Sequence, residues 1–417
     1  MNNPSNTKPV AIVLGGTLPH ALLVKKLQQR GYYTILVDYY DDPPAKKFSD
    51  EHLQESTLDK DKVLDIARNR NAKLVISTCI DQANVTACYV AEKLGLPAPY
   101  SYETALAVTN KGLMKEIMVW NGIPTSKYIF VKDMSGFKAA GLKFPVAVKP
   151  ADSNSSKGVR KACNEDELSQ FLKDALKISR TDEAVIEEYK EGREIGIDCF
   201  VTNKEATVLM TKERRKVVIR KDDDPVQQIY GCIWPAGLTE KNQSGVKQIA
   251  DRIANAFGLD NTPLMIQAIV NGDEINVIEF GARIGGGESF RIIKLSTGFD
   301  YVDAAVDSFL GIPVNVSHKQ PDVFYAESFI YARQGLFGYI TGYEDLVKDG
   351  TVEYLDSYQM KGVAIGASLS SNNRAGVFAV KSHDRSELFE KINRTIQAID
   401  VLDIHGESMM RKDIYSN

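Results

Sequence analysis

The chain has 417 residues, of which 43% are hydrophobic and 25% are charged, and its net charge at pH 7 is −4. This length suits about three domains of roughly 100 to 200 residues each, and the composition is that of a globular protein rather than a disordered or fibrous one. The basic residues are scattered, and the apolar stretches are far shorter than the roughly 20 residues that span a bilayer. The sequence therefore predicts neither a nucleic-acid partner nor a membrane segment.

Cellular location and metal content are predicted from three simple features. The N-terminus, residues 1–8, is polar and lacks the apolar segment of a signal peptide, which predicts a cytoplasmic protein. The five cysteines lack CxxC spacing and the five histidines lack HxxxH or HExxH spacing. We therefore expect neither a disulfide framework nor a zinc site.

The first hundred residues alternate between short buried strands and amphipathic helices. Strands are predicted at 10–14, 33–38 and 74–78, and helices at 21–29, 62–71 and 81–95. This β-α-β-α-β order is typical of an open parallel sheet, so we expect a Rossmann-like domain at the N-terminus.

Dinucleotide binding is an alternative for this first unit. Gly15 and Gly16 follow the first strand, and Asp38 lies about 20 residues further on, as the dinucleotide fingerprint requires. The loop lacks the GxGxxG pattern, however. The glycines favour a tight turn before a helix whose N-terminus can hold an anionic group.

The remaining elements predict a mixed α+β region. A helix is expected at 102–121, ending at a domain junction near Gly122. Strands are then predicted at 128–131, 144–150, 158–162, 184–188, 194–202, 207–211, 324–331 and 375–382, with a helix at 386–400. The fold class is therefore α/β and α+β, divided over several domains.

A candidate phosphate-binding segment follows the strand 144–150. Lys149 stands near the end of this strand, and the next loop is built of small residues whose N–H groups can approach phosphates. The loop residues considered for phosphate contact are Ser153, Ser155, Ser156, Lys157 and Gly158. The alternative is a flexible surface loop after a lysine whose charged end reaches solvent.

Four sequence blocks in a fixed order extend this interpretation. They are Val-Ala-Val-Lys-Pro at 146–150, Val-Ile-Glu-Glu-Tyr at 185–189, Met-Ile-Gln at 265–267, and Ile-Glu-Phe-Gly-Ala-Arg-Ile-Gly-Gly-Gly at 278–287. Their order and spacing resemble the ATP-grasp superfamily, which includes amino acid ligases, glycinamide ribonucleotide synthetase, biotin carboxylase and carbamoyl phosphate synthetase. The resemblance implies a Rossmann-like domain at 1–105, an ATP-grasp domain at 106–318 with a lid near 124–190, and a C-terminal α+β domain at 319–417.

The resemblance also implies which residues bind ATP. Lys111 and Lys149 would contact the phosphates, with the loop 153–158 closing over them. Glu187, with the backbone of Glu188 and Tyr189, would hold the adenine, while Glu194 would bind the ribose and Ile278 would also contact the nucleotide. The alternative for the acidic residues is that they are exposed ends of strands.

A magnesium site is expected at two of these blocks. Mg²⁺ prefers oxygen ligands from one or two carboxylates together with phosphates, and Mn²⁺ can substitute for it. Glu279 is the first candidate, and Gln267 stands one strand earlier in a hairpin that turns at 271–273. The family's Glu-x-Asn motif reads Glu279-Phe280-Gly281 here, which removes a third ligand and leaves a second Mg²⁺ in question.

Two arginines are candidate catalytic residues. The resemblance implies that Arg283 neutralises charge on the transferred phosphoryl group, a task that suits a permanently charged planar donor. Arg291 is expected to pair with a substrate carboxylate or, alternatively, to form a surface salt bridge.

The resemblance implies an ATP-dependent carboxylate–amine ligase that forms an amide bond through an acyl phosphate. The expected cofactors are ATP and Mg²⁺, the expected substrates are a small-molecule acid and amine, and a homodimer is a further expectation. An amino acid is the expected substrate. A bicarbonate-using or ribosylamine ligase is the alternative among enzymes, and a nucleotide-binding module without turnover is the alternative of another class. Substrate identity is expected to depend on residues 15–20, 212–216 and 233–237, which the four blocks do not include.

Overall fold

The structure is a computed structural model that describes residues 8–132, 134, 141–151, 158–179, 181–217 and 228–415. These residues form four sheets, with helices packed against them. The predicted α/β and α+β fold class is confirmed. No helix within these ranges is both long and apolar enough to cross a bilayer.

The N-terminal unit is a parallel sheet with helices on it. Its elements are β1 (Val10–Leu14), α1 (Leu18–Gln29), β2 (Tyr33–Asp38), β3 (Glu51–Gln54), α2 (Lys60–Asn69), β4 (Leu74–Ile76), α3 (Asp81–Leu94), α4 (Tyr102–Ala107) and α5 (Lys111–Trp120). The strand order is β3-β2-β1-β4, and every pair is parallel. The alternation of strands and helices therefore predicts β1, β2 and β4 and their parallel arrangement, whereas β3 was not predicted.

The single helix predicted at 102–121 is wrong, because two helices occupy this stretch. The side chain of Asn110 accepts a hydrogen bond from the N–H of Leu113 at 3.0 Å, which caps α5 and stops α4 from continuing. The break places Lys111 at the first turn of α5.

A small antiparallel sheet follows. It consists of β5 (Tyr128–Val131), β6 (Val146–Pro150), β7 (Arg160–Ala162), α6 (Glu165–Ile178) and β8 (Ala184–Glu188), with strand order β5-β8-β6-β7. Helix α6 buries Leu168, Leu172 and Ala175, spaced for one helical face, against this sheet. The sheet lies inside the range expected for the lid.

The largest sheet has eight antiparallel strands. The elements that follow the small sheet are β9 (Arg193–Thr202), β10 (Glu205–Lys216), β11 (Ile229–Trp234), α7 (Glu240–Ala256), β12 (Thr262–Asn271), β13 (Glu274–Gly281), α8 (Ser289–Thr297), α9 (Tyr301–Phe309), β14 (Phe324–Tyr331), β15 (Gly335–Thr341), α10 (Glu344–Lys348), β16 (Tyr354–Ser357), β17 (Ala364–Ile365), β18 (Arg374–Ser382), α11 (Arg385–Ala398) and β19 (Asp400–Asp403). The order in the large sheet is β13-β12-β9-β10-β11-β14-β18-β16, and β17-β15-β19 form a separate small sheet.

The large sheet continues across the domain boundary predicted at residue 318. Strand β11 pairs with β14 from Gly231–Ser328 to Trp234–Tyr325, so the C-terminal strands extend the sheet of the preceding region. The division of the chain into domains at 105 and 318 stays a prediction, and the hydrogen bonding shows that the last two regions share one sheet.

Ion pairs join the N-terminal unit to the middle of the chain. Lys26 on α1 and Arg30, which caps the C-terminal end of α1, face Asp300, which caps α9, and Asp307 on α9. The Nζ atom of Lys26 lies 2.7 Å from Oδ2 of Asp300, and Nη1 of Arg30 lies 2.6 Å from Oδ1 of Asp307. These contacts hold the N-terminal sheet beside α9.

The junction of β11 with β14 predicts the effect of one substitution. A Cβ atom at Gly231 would lie 2.4 Å from the carbonyl oxygen of Glu327. We expect Gly231→Ala to lower the free energy of unfolding by about 1 to 3 kcal/mol, because the two strands must move apart. Gly245→Ala on α7 is the matched control, since its Cβ would meet only the end of the Ile275 side chain. Thermal unfolding should give a lower Tm for the first variant alone.

Candidate active site

Two cavities meet beside β12 and β13 of the large sheet. The smaller one, about 130 Å³, extends along β6, β8 and β13, and the larger one, about 360 Å³, extends toward α3, β11 and β14. Lys111, Gln267 and Glu279 line both cavities. The residues from the four sequence blocks are therefore brought to one place.

A buried carboxylate between two lysines forms the floor of the smaller cavity. Lys149 on β6 pairs with Oε1 of Glu187 on β8, and Nζ of Lys115 on α5 lies 2.9 Å from Oε2. Lys115 also donates a 2.5 Å hydrogen bond to Thr125. Burial favours the neutral form of Glu187, but the two lysines outweigh burial and lower its pKa to about 2. Glu187 is therefore ionised and links the small sheet to α5.

The segment expected to hold the adenine lies at the end of β8. The backbone N–H of Glu188 donates to the carbonyl of Lys127, and that of Tyr189 donates to the carbonyl of Pro145, both at 2.9 Å. Both residues line the smaller cavity. Because these two N–H groups are already bonded within the protein, the predicted adenine hinge would have to use other backbone groups of this segment.

Glu194, the predicted ribose ligand, is also paired inside the protein. Its Oε1 lies 2.5 Å from Nη1 of Arg214, and its Oε2 lies 2.8 Å from Nζ of Lys216. Burial opposes ionisation, but these two cations lower the pKa of Glu194 below its usual value. It lines the smaller cavity together with Ile278.

Gln267 and Glu279 face each other across two paired strands. They are directly opposite in the register of β12 and β13, whose turn begins after Asn271 as the sequence predicts. Side chains at such positions lie on the same face of a sheet, about 5 Å apart at their Cβ atoms. The Nζ atom of Lys111 is 3.9 Å from Oε2 of Glu279. An amide oxygen, a carboxylate and an ammonium group thus converge where the cavities join.

Arg283 forms a two-pronged ion pair with Asp81, the first residue of α3. Its Nε lies 2.8 Å from Oδ1, and its Nη2 lies 2.7 Å from Oδ2. Burial lowers the pKa of Arg283, but the Asp81 carboxylate outweighs burial and raises it. Both residues line the larger cavity. Sequence reasoning missed Asp81, since its partner lies 202 positions away.

This ion pair also explains why residue 281 is glycine. A Cβ atom at Gly281 would lie 3.0 Å from Oδ1 of Asp81 and 3.3 Å from Nε of Arg283. A side chain at position 281 would therefore crowd this ion pair. Among the described residues, no group of three or more His, Cys, Asp or Glu side chains is placed to hold a metal ion. Gln267 and Glu279 alone would need further oxygen ligands from a bound molecule.

The basic segment 212–216 faces inward rather than into water. Lys212 and Arg214 occur at alternate positions on β10 and line the larger cavity. The Nζ atom of Lys212 lies 3.0 Å from Oδ2 of buried Asp198 and also contacts the hydroxyl of Ser289. These cations are therefore neutralised within the protein.

Arg291 does not line either cavity. Its Nη1 lies 2.5 Å from Oδ2 of Asp356, and its guanidinium stacks 3.5 Å from the ring centre of Tyr354. Both partners of the ion pair are partly exposed. This is the salt bridge that the sequence analysis gives as the alternative to a role with substrate.

Besides Asp81, two further charged residues of the larger cavity were not predicted. Arg374 on β18 stacks 3.6 Å from the ring centre of Phe329 and donates from Nε to the hydroxyl of Tyr331 at 2.9 Å. Glu327 on β14 is almost fully buried and also lines the cavity. Neither belongs to a sequence block, and both reach the site only because β14 and β18 extend the large sheet.

The N-terminus of α1, which the sequence predicts can hold an anionic group, begins beside a proline and a carboxyl group. Pro43 packs directly on Gly16, where a Cβ atom would lie 2.3 Å from the Cβ of Pro43 and 3.1 Å from Oδ2 of Asp38. Thr17, the residue before the helix, contacts Nδ1 of buried His20 at 2.8 Å. An anion at this loop would meet a proline ring and a carboxyl group.

Of the residues predicted to form the phosphate loop, only Gly158 lies within the described part of the chain. Ser153, Ser155, Ser156 and Lys157 lie outside the described residues. Gly158 has a φ of +77° and would place a Cβ atom 2.9 Å from Ile178 and 3.0 Å from Pro150. A left-handed backbone in so little space requires glycine at this position.

Comparisons with known proteins agree with this geometry. Residues 142–290 match the family described as the ATP-grasp domain. An uncharacterised protein, y4rH, of Sinorhizobium fredii is 22% identical over 332 residues, which cover 78% of this chain and 67% of that protein. The formate-dependent phosphoribosylglycinamide formyltransferase of Ignicoccus hospitalis is 27% identical over 257 residues, covering 60% of this chain and 62% of that enzyme.

A solved structure of similar fold is the L-amino acid ligase from Bacillus licheniformis. Its TM-score is 0.78 with 19% identity, and the superposition covers 96% of this chain and all of that chain. At this identity the likeness concerns the fold.

The buried carboxylate of Glu187 predicts a pH-dependent stability. We expect Glu187→Gln to lower the free energy of unfolding by about 3 to 5 kcal/mol near neutral pH, because two buried lysines lose their counter-charge. The folded pKa of about 2 lies below the usual 4.5, so the stabilisation is present above pH 4.5 and is lost as the pH falls toward 2. Urea unfolding at several pH values measures this difference.

Lys149→Met is the matched control for that substitution. It leaves Glu187 paired with Lys115, so we expect a smaller loss of stability than in Glu187→Gln. Equal losses of stability in Glu187→Gln and Lys149→Met would contradict the role given to Glu187. A stability difference between the wild type and Glu187→Gln that does not shrink in acid would contradict it as well.

Proposed function

We propose that this chain, a member of the ATP-grasp superfamily, is an ATP-dependent ligase that joins a carboxylate to an amine, with an amino acid as substrate. The observation that carries the proposal is the meeting of two cavities at Lys111, Gln267 and Glu279. A nucleotide in the smaller cavity would present its terminal phosphate at this junction, where a substrate in the larger cavity can reach it.

The smaller cavity fits a nucleotide by its charges. Lys111 and Lys149 lie at the end where the phosphates would bind, and Lys149 is held in place by Glu187. Fixed cations stabilise the charge that spreads over a phosphoryl group during transfer, and they need no rearrangement at that moment. Glu188, Tyr189, Glu194 and Ile278 line the same cavity and would contact the nucleoside.

Glu279 and Gln267 would hold Mg²⁺, or Mn²⁺ in its place, together with phosphate oxygens of ATP. When bound, the ion supplies positive charge that offsets the charge of the phosphates. A carboxylate and an amide oxygen facing each other across β12 and β13 are suitable hard ligands. Because residue 281 is glycine and has no side chain to offer, we expect the protein to supply these two ligands only.

Activation and bond formation follow from this arrangement. The substrate carboxylate attacks the γ-phosphorus of ATP, ADP leaves, and an acyl phosphate remains beside Arg283. An amine then attacks the acyl carbon, the C–N bond forms, and inorganic phosphate leaves. Arg283 is held by Asp81 at the junction and would neutralise charge on the acyl phosphate.

The larger cavity favours an amino acid. Arg374 offers a guanidinium and Glu327 a carboxyl group, while Trp234, Met265 and Phe329 supply apolar walls. Groups of both charge signs in one cavity suit a molecule with an ammonium and a carboxylate. Its volume of about 360 Å³ lies in the usual range for small-molecule sites, roughly 300 to 1,000 Å³.

The main alternative is a ligase that acts on a phosphoribosylated amine, the class of compound named in the formate-dependent phosphoribosylglycinamide formyltransferase of Ignicoccus hospitalis. The loop at Gly16 disfavours it, because Pro43 and Asp38 occupy the space before α1 where a phosphate would otherwise meet a helix N-terminus. Bicarbonate as the acid is the other alternative.

The first test is release of ADP and phosphate from Mg²⁺-ATP with amino acids added singly and in pairs, each with and without bicarbonate. We expect release to require an acid and an amine together. Release that needs bicarbonate, or that occurs only with a phosphoribosylamine, would replace the amino acid proposal by one of the alternatives. No release with any of these compounds would count against a ligase.

Two substitutions test the residues given to phosphates and metal. Lys149→Ala and Glu279→Ala should each lower kcat at least about 100-fold, since each removes charge compensation at the reacting phosphate. Lys132→Ala is the control, because Lys132 directly follows β5 of the same small sheet but pairs with Glu183 at the surface. Circular dichroism should be unchanged in all three. Retained activity in Lys149→Ala or Glu279→Ala would remove that residue from the site.

A further inference from the structure

Glu327 is a buried acid on the wall of the larger cavity, in the middle of β14. Its Oε1 accepts a 2.6 Å hydrogen bond from the hydroxyl of Tyr354, while its Oε2 has no hydrogen bond to any residue of the described chain. The cavity includes Glu327 and, two positions further along the same face of β14, Phe329. One oxygen of this carboxyl group is thus fixed by the protein, and the other is left for a molecule in the cavity.

Charged and titratable groups approach Glu327 from every neighbouring element. They are Lys212 on β10, Cys232 on β11, Glu288 and Arg291 at α8, Tyr354 on β16, Tyr358 after β16, and Arg374 on β18. Burial and the nearby Glu288 raise the pKa of Glu327 to about 8, against the opposing effect of Tyr354 and Lys212. Its conjugate base is therefore much stronger than that of an ordinary carboxylate.

A ligase of the proposed kind needs a base at this place. The amine arrives as an ammonium ion, which has no lone pair with which to attack. A carboxylate whose pKa approaches that of the amine is an effective proton acceptor. Asp81 is bonded to Arg283, and Glu279 faces Gln267 at the proposed metal position. Among the described acids that line the larger cavity, Glu327 is left for the amine.

We infer that Glu327 binds the ammonium group of the amine substrate and accepts the proton that this group must lose before it attacks the acyl phosphate. The inference rests on the proposed ligase function and adds a catalytic residue to it. Glu327 takes one proton from the ammonium, and the nitrogen lone pair attacks the acyl carbon. The C–N bond forms, the C–O bond to phosphate breaks with its electron pair, and the second proton leaves with phosphate. Glu327 then returns its proton to solvent.

Hydroxylamine separates this role from a purely structural one. It is uncharged at neutral pH and attacks acyl phosphates without a base, giving a hydroxamate. Each of the twenty standard amino acids is supplied as the acid with Mg²⁺-ATP, and either hydroxylamine or a second amino acid is the nucleophile. In Glu327→Gln, which keeps an oxygen for Tyr354, we expect hydroxamate formation near the wild-type rate and amide formation lower by at least about 100-fold.

The pH dependence is a second readout. Wild-type amide formation should rise as the pH increases through about 8, because Glu327 must be ionised to accept a proton, and the residual activity of Glu327→Gln should lack this rise. Glu288→Gln removes a neighbouring acid and should shift the rise to lower pH. Glu353→Gln is the control, because Glu353 pairs with Lys381 at the surface and should leave the profile unchanged.

Several results would overturn the inference. These are equal losses of hydroxamate and amide in folded Glu327→Gln, undiminished amide formation in that variant, and an unshifted profile in Glu288→Gln. Hydroxamates without any amide from the wild type would also exclude an amino acid ammonium at Glu327. A wild type that forms neither product and releases no ADP would instead reject the ligase function itself.

Discussion

The ion pair between Arg283 and Asp81 is the contact on which the geometry of the site depends. It joins the first residue of α3 to the segment that follows β13, and the backbone N–H of Ile284 donates to the carbonyl of Thr78 beside it at 3.1 Å. The carboxyl end of the parallel sheet is thereby held against the end of the large sheet. Two half-buried charges with two parallel hydrogen bonds are costly to separate, because each would be left unpaired where water reaches it only in part.

The same principle of internal pairing extends through both cavities. Lys149 is matched by Glu187, Arg214 by Glu194, and Lys212 by Asp198. A highly charged ligand would therefore enter a site whose cations are already oriented by acids rather than one with free charges. Preoriented groups lose little side-chain entropy on binding, which favours catalysis by positioning. When such a ligand binds, each acid must share its paired cation with the ligand.

The sequence predicts local structure and the order of the blocks well. Strands β1, β2, β5, β8 and β14 have the bounds expected, and the hairpin that places Gln267 opposite Glu279 follows from its turn residues. The resemblance to the ATP-grasp superfamily is confirmed by the family match over residues 142–290. Helix α7 was not predicted, although Val246, Ile249, Ala250 and Ile253 have helical spacing, so a signal for it was present.

Contacts between distant parts of the chain could not be predicted. Asp81 is an ordinary residue at the start of a helix until the fold places it beside Arg283, and Lys115 is one of two lysines on α5 until it meets Glu187. Arg374 and Glu327 enter the cavity because of the strand order of the large sheet, which no local pattern determines. Conversely, Arg291 stands near the glycine run in sequence, but its position on α8 directs it toward Asp356.

The shared sheet has a consequence for dissecting the protein. Strand β11 lies between β10 and β14, and its six residues, from Ile229 to Trp234, are all buried. A shortened chain ending near residue 318 would leave one side of this strand without its partner, exposing unpaired backbone groups on an apolar strand. Such an edge can pair with the same edge of another molecule, so the shortened protein would tend to aggregate rather than persist as a smaller nucleotide-binding unit. The region that would bind the nucleotide and the region that would receive the amine are thus one folding unit. A chimera that exchanges one of these regions between related proteins would also have to exchange the paired strands β11 and β14.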